Sequence, residues 1–419
     1  MPVAAIISYR LGGTDGVSVE AAKWAGALRK LDYEVVTVAG GGEADVLIPG
    51  LAIDATEASE GELANRVDST LSGADLVVAE NICSLPLNPA AYRVVAECLR
   101  GRRAVLHHHD LAIQRPHLVH HGLPPDDPAW QHVTINAHSR AALHSAGIAA
   151  TVIHNRFDPD PPAGRRVLLR DALSVSPDAL LLLQPTRAIP RKDVPGAIRL
   201  AEGIASASPY RPVTYWLLGP PEDGYGPDLE HVLAGAAVPV LRGCPSGTWD
   251  IHDAYAACDA VVFPSTWEGF GNPAIESATH AKPLAIGPYP VASELARYGF
   301  TWFPTSDPDP LADFLAQPEQ SLLDRNREVA RHHFSLADLP AALAALGLGG
   351  ANRRALSPPS RHPAGSGPTS ITGAGHPSAL FRQLDLDPVF LPCRTLHRLD
   401  GSRQSGGGGN VGGSKFYEG

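Results

Sequence analysis

Cysteine is scarce in this sequence and never forms a paired motif. The 419 residues contain five cysteines, an odd number, and no two of them make a C-x-x-C pair. Disulfide frameworks and zinc knuckles need several cysteines at short, regular spacings. The pattern therefore argues against a secreted, disulfide-stapled protein and predicts free thiols in a cytosolic setting.

Long apolar runs, a secretory leader and an excess of basic charge are also absent. No stretch of 18 or more uncharged apolar residues occurs, so we expect no membrane-spanning helix. The first seven residues resemble the start of a strand more than a signal peptide. With 34 basic and 44 acidic residues the net charge is −10, which disfavours nucleic acid as a partner. We expect a cytoplasmic protein, with peripheral contact at the inner membrane face left open.

What the sequence does contain is an alternation of short apolar runs with helical patterns. Strands are predicted at residues 3–8, 34–39, 74–79 and 103–106, and again at 180–184, 213–218, 238–242, 260–263 and 283–286. Strands that alternate with helices favour parallel α/β layers. Because the chain exceeds the size at which one core stops growing, we predict two α/β domains.

The predicted domain boundary lies in the proline-rich stretch 158–163. We place an N-terminal domain at 1–160 and a C-terminal domain at 161–348, with the helical stretch of about 321–346 packing back on the first. Residues 349–419 are rich in glycine, proline and serine and lack periodicity. We expect this tail to be disordered, because it cannot bury enough apolar surface to offset its ordering entropy.

The most informative local feature is the segment PSTWEGFGNPAIE at residues 264–276, directly after a predicted strand. Asn272 suits the N-cap of a following helix and Pro273 its first position. A helix N-terminus behind a glycine loop offers N–H groups to phosphate oxygens. Gly269 and Gly271 would let a ligand approach the backbone closely.

Two glutamates bracket this segment. Glu276 would fall in the first helical turn, where a carboxylate can accept hydrogen bonds from a ribose diol. The alternative is that Glu276 only complements the helix dipole and that Glu268 is a solvated loop residue.

Two cations follow the predicted strand at 180–184. Arg187 and Lys192 lie on its strand-to-helix loop, and ligands of α/β sheets bind at such carboxyl ends. At 4 Å and an effective dielectric of roughly 20, each would stabilise a unit negative charge by about 4 kcal/mol. They could neutralise a diphosphate without a metal. A surface position is the alternative, but lysine occurs only five times in the chain, so its presence in a motif is less easily explained by chance.

Together these residues resemble the retaining glycosyltransferases of the GT-B fold, in particular glycosyltransferase family 4 (glycosyl transferases group 1). The family's E-x7-E signature corresponds to Glu268 and Glu276, and its arginine–lysine pair to Arg187 and Lys192. The glycine pair at 12–13, His109-Asp110 and residues 152–155 match further family segments in the same order. The resemblance covers about residues 1–345. It implies an α/β GT-B fold, in which two Rossmann-like domains face each other across a cleft, an acceptor-binding one at 1–160 and a nucleotide-sugar-binding one at 161–348.

The resemblance also implies roles for the matching residues. Lys192 and Arg187 would bind the donor diphosphate and stabilise its departing charge, while Glu268 and His109 would lie by the transferred sugar. Glu276 would hold the donor ribose. The remaining donor-binding positions would be Gly13, Gly269, Phe270, Gly271 and Asn272.

The implied reaction moves a sugar from a nucleotide-diphosphate sugar to a hydroxyl acceptor with retention of configuration. The acceptor would be a sugar, a sugar phosphate, a polyol or a lipid-linked hydroxyl, and neither a cofactor nor a metal is expected. The sequence departs from the family pattern at Asn155-Arg156, where glycine usually follows asparagine. We expect Arg156 to narrow or recharge the acceptor side of the cleft.

Other functions remain open at this point. A nucleotide-sugar-binding pseudoenzyme or regulator would keep the same residues without transferring sugar. A zinc hydrolase could use His107 and His109, which point the same way on a strand. A metal-dependent glycosyltransferase would need an Asp-x-Asp triplet near the nucleotide, and the triplets at 158–160, 307–309 and 385–387 do not suit that position.

Overall fold

The computed structural model describes residues 1–13, 15–55, 59–222, 224–349 and 397–398. Apart from Gly349 and the last two of these, the predicted tail lies outside the described residues. The described chain is built on two sheets, each formed by consecutive strands of one half of the sequence. The exact domain bounds, at 160 and 348, stay a prediction.

The first sheet has seven parallel strands in the order β3-β2-β1-β4-β5-β6-β7. Its strands are β1 (Val3–Leu11), β2 (Glu34–Gly42), β3 (Val46–Leu47), β4 (Leu76–Glu80), β5 (Ala104–His108), β6 (Trp130–Thr134) and β7 (Ala150–Val152). Its helices are α1 (Gly16–Lys30), α2 (Glu60–Leu71), α3 (Pro89–Leu99) and α4 (Ala137–Ser145). Sequence periodicity missed β3, β6 and β7, which are short or carry polar residues.

The second sheet has six parallel strands in the order β13-β12-β11-β8-β9-β10. Its strands are β8 (Leu180–Gln184), β9 (Val213–Leu217), β10 (Val240–Arg242), β11 (Ala260–Phe263), β12 (Leu284–Ile286) and β13 (Phe303–Pro304), and β14 (His397–Arg398) pairs antiparallel with β10. The helices that follow are α5 (Arg166–Ala172), α6 (Val194–Ala207), α7 (Gly226–Ala234), α8 (Ile251–Ala257), α9 (Asn272–Thr279), α10 (Pro290–Ala296), α11 (Asp309–Ala316), α12 (Gln320–Phe334) and α13 (Leu339–Leu343).

Each sheet has a point where the strand order reverses. In the first sheet the reversal lies between β1 and β4, and in the second between β8 and β11. Ligands of open parallel sheets bind in the crevice that such a reversal opens at the carboxyl ends of the strands. The loops that meet there in the second sheet are residues 185–193 and 264–271, which contain the predicted motifs.

The two halves touch through these same loops. Asn136 Nδ2 donates to the Gly269 carbonyl oxygen at 2.6 Å, and Asn155 Nδ2 donates to Asn272 Oδ1 at 2.9 Å. Both carboxylate oxygens of Glu294, on α10, accept from the Ala137 backbone N–H at 2.9 Å. Glu294 therefore binds the positive end of the α4 dipole from the other half of the molecule.

The end of the described chain returns to the first sheet. The helix predicted at about 321–346 is in fact broken at Ser335, which has an extended backbone and caps a short 3₁₀ turn. After the break, Leu339 and Leu343 of α13 pack into the core formed by Trp24 and Leu28 of α1. The break lets one segment contact both halves.

The structure tests the prediction that the cysteines are free thiols. Cys83, Cys98 and Cys258 are free thiols, as predicted. Cys244 is disulfide-bonded, so the prediction of free thiols is wrong at this position.

Across the described ranges, no helix combines the length and the apolar character needed to cross a bilayer.

A buried arginine ties α5 to the strands that carry the site loops. The Arg170 guanidinium donates to the carbonyl oxygens of Ala257, Ser176 and Ala179 at 3.0, 2.7 and 2.7 Å, and to Asp259 Oδ2 at 3.1 Å. The same Asp259 oxygen accepts from the Leu181 N–H at the start of β8. Arg170 thus satisfies buried acceptors next to both β8 and β11.

Replacing Arg170 with methionine is expected to lower the free energy of unfolding by about 3 kcal/mol, because several buried acceptors lose their donor. Urea titration measures the change. Arg325→Met, at an exposed position of α12, serves as the control and should cost less than about 0.5 kcal/mol. Equal losses in the two variants would contradict the role given to Arg170.

Candidate functional site

The centre of the site is a buried carboxylate held by two cations. Lys192 Nζ lies 2.5 Å from Glu268 Oε1, and Arg191 Nη1 lies 3.0 Å from Glu268 Oε2. All three side chains are at most 1% exposed. Two positive charges thus meet the Glu268 carboxylate at the carboxyl ends of β8 and β11.

Backbone contacts join the two loops at this point. The Thr266 N–H donates to the Arg191 carbonyl oxygen at 2.9 Å, and Arg191 Nη1 donates to the Trp267 carbonyl oxygen at 2.8 Å. Sequence reasoning placed Lys192 and Glu268 in the site and the structure brings them together. It missed Arg191, although its position directly before Lys192 was a usable signal.

Arg187 takes a different partner. Its guanidinium forms an ion pair with Glu222, which follows β9. A Cβ at Gly219 would lie 2.7 Å from the Arg187 backbone N, so the loop after β9 lies directly against Arg187. Arg187 therefore lies at the same sheet edge as Lys192, on the side of β9.

The start of α9 differs from the prediction. The N-cap is Gly271, with φ of 94°, and not Asn272, which is already helical and accepts a hydrogen bond from Asn155. A side chain at Gly271 would be strained at this φ, and its Cβ would lie 2.0 Å from the Tyr289 hydroxyl. Glu276 consequently lies in the second turn of the helix rather than the first.

Glu276 is buried, and no cation binds it directly among the described residues. Its Oε2 accepts a hydrogen bond from the Tyr255 hydroxyl at 2.8 Å. Burial raises the pKa of Glu276 to about 7, and the Tyr255 hydrogen bond opposes that rise. The carboxyl group is therefore close to the balance between its neutral and ionised forms near neutral pH.

His109 belongs to a second buried group. Glu80, at the end of β4, accepts through Oε2 from His107 Nδ1 at 2.8 Å and from His109 Nε2 at 2.9 Å. Burial alone would raise the pKa of Glu80, but the two imidazoles lower it to about 2. Burial lowers the pKa of His109, whereas its hydrogen bond to the Glu80 carboxylate raises it. The net result is a raised pKa for His109.

The geometry of this group bears on the zinc alternative. Ligand atoms of Glu80, His107 and His109 lie within 4.8 Å of one another, as a metal site would require. In the structure both imidazoles donate to Glu80 Oε2, while Glu80 Oε1 and His107 Nε2 are buried and have no hydrogen-bond partner within the described residues. His117, His120 and His121 are exposed and do not form part of this group.

Most of the predicted glycine-loop residues meet His109 at one cavity. Gly269, Phe270, Gly271 and Asn272 line it together with His109, and its volume is about 30 Å³. A Cβ at Gly269 would lie 2.8 Å from the His109 carbonyl oxygen, so only glycine allows this approach. Gly13 lies elsewhere, in a groove of about 520 Å³ that runs along α1 past Lys23 to Pro340.

Two further predictions have a structural outcome. Arg156 Nη1 donates to the His333 carbonyl oxygen at 2.9 Å, so it ties the chain between the halves to the end of α12. Asp160, from the first Asp-x-Asp triplet, pairs with Arg331 at 2.7 Å, and the second triplet lies at the start of α11. The third triplet lies outside the described residues.

Comparisons with known proteins agree with this architecture. The profile of the family described as "Glycosyl transferases group 1" matches residues 171–328. The chain is 27% identical to mannosylglucosylglycerate synthase of Thermotoga maritima, over 80% of this chain and 97% of that protein. It is 26% identical to the Petrotoga mobilis protein of the same name, over 70% and 84%.

Among solved structures, Alr3699/HepE of Anabaena in complex with UDP-glucose superposes with a TM-score of 0.63 at 20% sequence identity, covering 83% of this chain and 99% of that one. That likeness concerns the fold, which is GT-B: two parallel α/β layers whose carboxyl edges face each other. The family profile and the named relatives show that the chain is a glycosyltransferase, and residues 171–328 match the group 1 profile.

Proposed function

We propose that this enzyme moves a sugar from a nucleotide-diphosphate sugar to a hydroxyl acceptor, with retention of configuration and without a metal. The observation that carries the proposal is the pair of buried cations, Arg191 and Lys192, that the Glu268 carboxylate fixes at the switch point of the second sheet. A fixed, buried cation at a strand end is suited to a leaving group that gains negative charge. Arg187 lies at the same edge, where its guanidinium pairs with Glu222.

The relatives and neighbours support the type of donor. One structural neighbour was solved with UDP-glucose, and the curated relatives are named as synthases of mannosylglucosylglycerate. Glu276, in α9 behind the glycine loop, would accept hydrogen bonds from the ribose hydroxyls. His109 would contact the transferred sugar, at the cavity that it shares with Gly269 and Phe270.

Retention follows from a front-face displacement in the proposed mechanism. The bond from the anomeric carbon to the phosphate oxygen breaks, and the acceptor oxygen attacks from the same face. The departing phosphate oxygen takes the proton of the acceptor hydroxyl. Lys192 and Arg187 stabilise the charge on the diphosphate, and positioning by the two halves supplies much of the remaining rate enhancement.

A first test measures nucleotide binding and its dependence on metal. Thermal unfolding is recorded with UDP, GDP or ADP, each with and without EDTA. A nucleotide at 100 times its dissociation constant adds about 2.7 kcal/mol to stability. We expect one nucleotide to raise the melting temperature equally in both conditions. The absence of any nucleotide effect, together with destabilisation by EDTA alone, would overturn the proposal in favour of a metal site at Glu80, His107 and His109.

A second test concerns the leaving group. Lys192→Ala is expected to lower kcat by roughly 100-fold or more, because tenfold corresponds to about 1.4 kcal/mol and a buried charge contact is lost. Arg199→Ala, which removes an exposed cation from α6, should keep kcat within about twofold. Wild-type turnover in Lys192→Ala, with circular dichroism unchanged, is the result that contradicts this assignment.

A third test separates an enzyme that retains configuration from a protein that only binds donor. The product of a single turnover is analysed by NMR for its anomeric coupling constant. We expect the anomeric configuration of the donor to persist in the product. Inversion would exclude the front-face displacement, and binding without turnover across sugar, sugar-phosphate, polyol and lipid-linked acceptors would indicate the pseudoenzyme.

A further inference from the structure

Glu276 has one carboxylate oxygen committed to the protein. Its Oε2 accepts from the Tyr255 hydroxyl at 2.8 Å, and its Oε1 has no hydrogen-bond partner within the described part of the chain. Tyr255 is fully buried, whereas Glu276 keeps 7% exposure. The carboxylate is therefore fixed from the inside and has its second oxygen available for a ligand.

The position of Tyr255 is itself determined by packing. Its ring stacks on His280 with a centroid separation of 4.4 Å. His280 Nδ1 lies 2.7 Å from the Glu276 carbonyl oxygen, and His280 Nε2 lies 3.0 Å from His252 Nδ1. Since His252 and Tyr255 share α8, the histidine contact fixes α8 against the end of α9, and the tyrosine hydroxyl reaches the carboxylate from a defined direction.

The other charges around Glu276 largely cancel. On α1, Lys23 lowers and Glu20 raises the pKa of Glu276, and these two groups pair with each other at 2.5 Å. Burial lowers the pKa of His280 to about 4, so it stays neutral across the neutral range. The remaining groups nearby are His252 on α8, Arg327 on α12, which is paired with Asp160, and Lys282, which is bound to carbonyl oxygens.

We propose that Tyr255 is a positioning residue for the donor ribose: its hydroxyl orients the Glu276 carboxylate and stabilises its charge, so that the opposite oxygen accepts the ribose hydroxyls. This rests on the proposed function, in which Glu276 binds the ribose. A hydroxyl donor favours the ionised form of a carboxylate. Burial has already brought the pKa of Glu276 to about 7, so loss of this donor would leave the carboxyl group largely neutral at pH 7.

The test compares a ribonucleotide with its counterpart that lacks the ribose hydroxyls. The probes are the nucleoside diphosphate that stabilises the wild type, among UDP, GDP and ADP, and its 2′,3′-dideoxy form. Dissociation constants are measured by calorimetry from pH 6 to 9 on the full chain. The ratio of the two constants reports the ribose contact alone, because titration of the diphosphate affects both ligands equally.

In the wild type we expect the dideoxy form to bind at least tenfold more weakly at pH 8, with a discrimination that falls as the pH drops through about 7. In Tyr255→Phe the midpoint of this profile should move up by about one pH unit. The reason is that loss of a hydrogen bond to a charged carboxylate raises its pKa by about one unit. The variant should thus discriminate poorly at pH 7 and recover at pH 9.

Two variants make the outcome decisive. Tyr9→Phe removes another buried tyrosine hydroxyl, bound to the Leu85 carbonyl oxygen at 2.5 Å in the other half, and should leave the profile unchanged. Glu276→Gln should abolish the pH dependence of the discrimination. If Tyr255→Phe does not fold, Glu276→Gln takes its place, because a pH dependence that persists in Glu276→Gln also overturns the proposal.

The remaining outcomes separate the two claims. A wild type that binds neither nucleotide, or both equally, overturns the ribose assignment of Glu276 and with it this proposal. If the wild type discriminates between the two nucleotides and Tyr255→Phe shows the same pH profile, the role of Tyr255 is overturned and the ribose assignment of Glu276 stands. The same holds if Tyr255→Phe binds the ribonucleotide more weakly by an equal factor at every pH.

Discussion

The Glu268 carboxylate is the interaction on which the site depends. It is completely buried, and a charge of this kind is tolerated only when it is paired and hydrogen-bonded. Arg191 and Lys192 supply that pairing from the loop after β8, while Glu268 belongs to the loop after β11. The charge cluster therefore forces two loops from neighbouring strands into one rigid unit. The glycine loop at 269–271 directly follows Glu268, so this unit fixes where the loop begins.

The two glutamates of the E-x7-E signature differ in the partners that stabilise their charge. Glu268 lies between two cations, which satisfy its charge inside the protein. Glu276 keeps 7% exposure, its hydrogen-bond partner within the described chain is the Tyr255 hydroxyl, and burial raises its pKa to about 7. One carboxylate is thus used to build the site. The other binds no cation directly in the part of the chain that the structure describes, and it gains most from a ligand that brings hydroxyl donors.

Local patterns predicted what depends on local sequence. The strands at 180–184 and 260–263 were placed correctly because each is a continuous apolar run bounded by polar or proline residues. The helix cap was misplaced by one residue, since Asn272 uses its side chain for Asn155 in the other half and leaves the cap to Gly271. Tyr255 could not have been found this way, because only the packing of α8 beside α9 brings it to a glutamate 21 residues further along the chain.

The contact between the halves limits how the donor can enter. The cavity between His109 and the glycine loop has about 30 Å³, room for one or two water molecules but not for a sugar ring. Two side-chain amides, of Asn136 and Asn155, span the halves at this point and hold them together. In the proposed reaction, a sugar that binds at this cavity has to separate the loops that these amides join. Arg156 adds a contact to the His333 carbonyl oxygen, and Glu294 binds the Ala137 N–H directly after Asn136. The end of α4 beside the cavity is therefore held by two residues of the other half, Gly269 and Glu294.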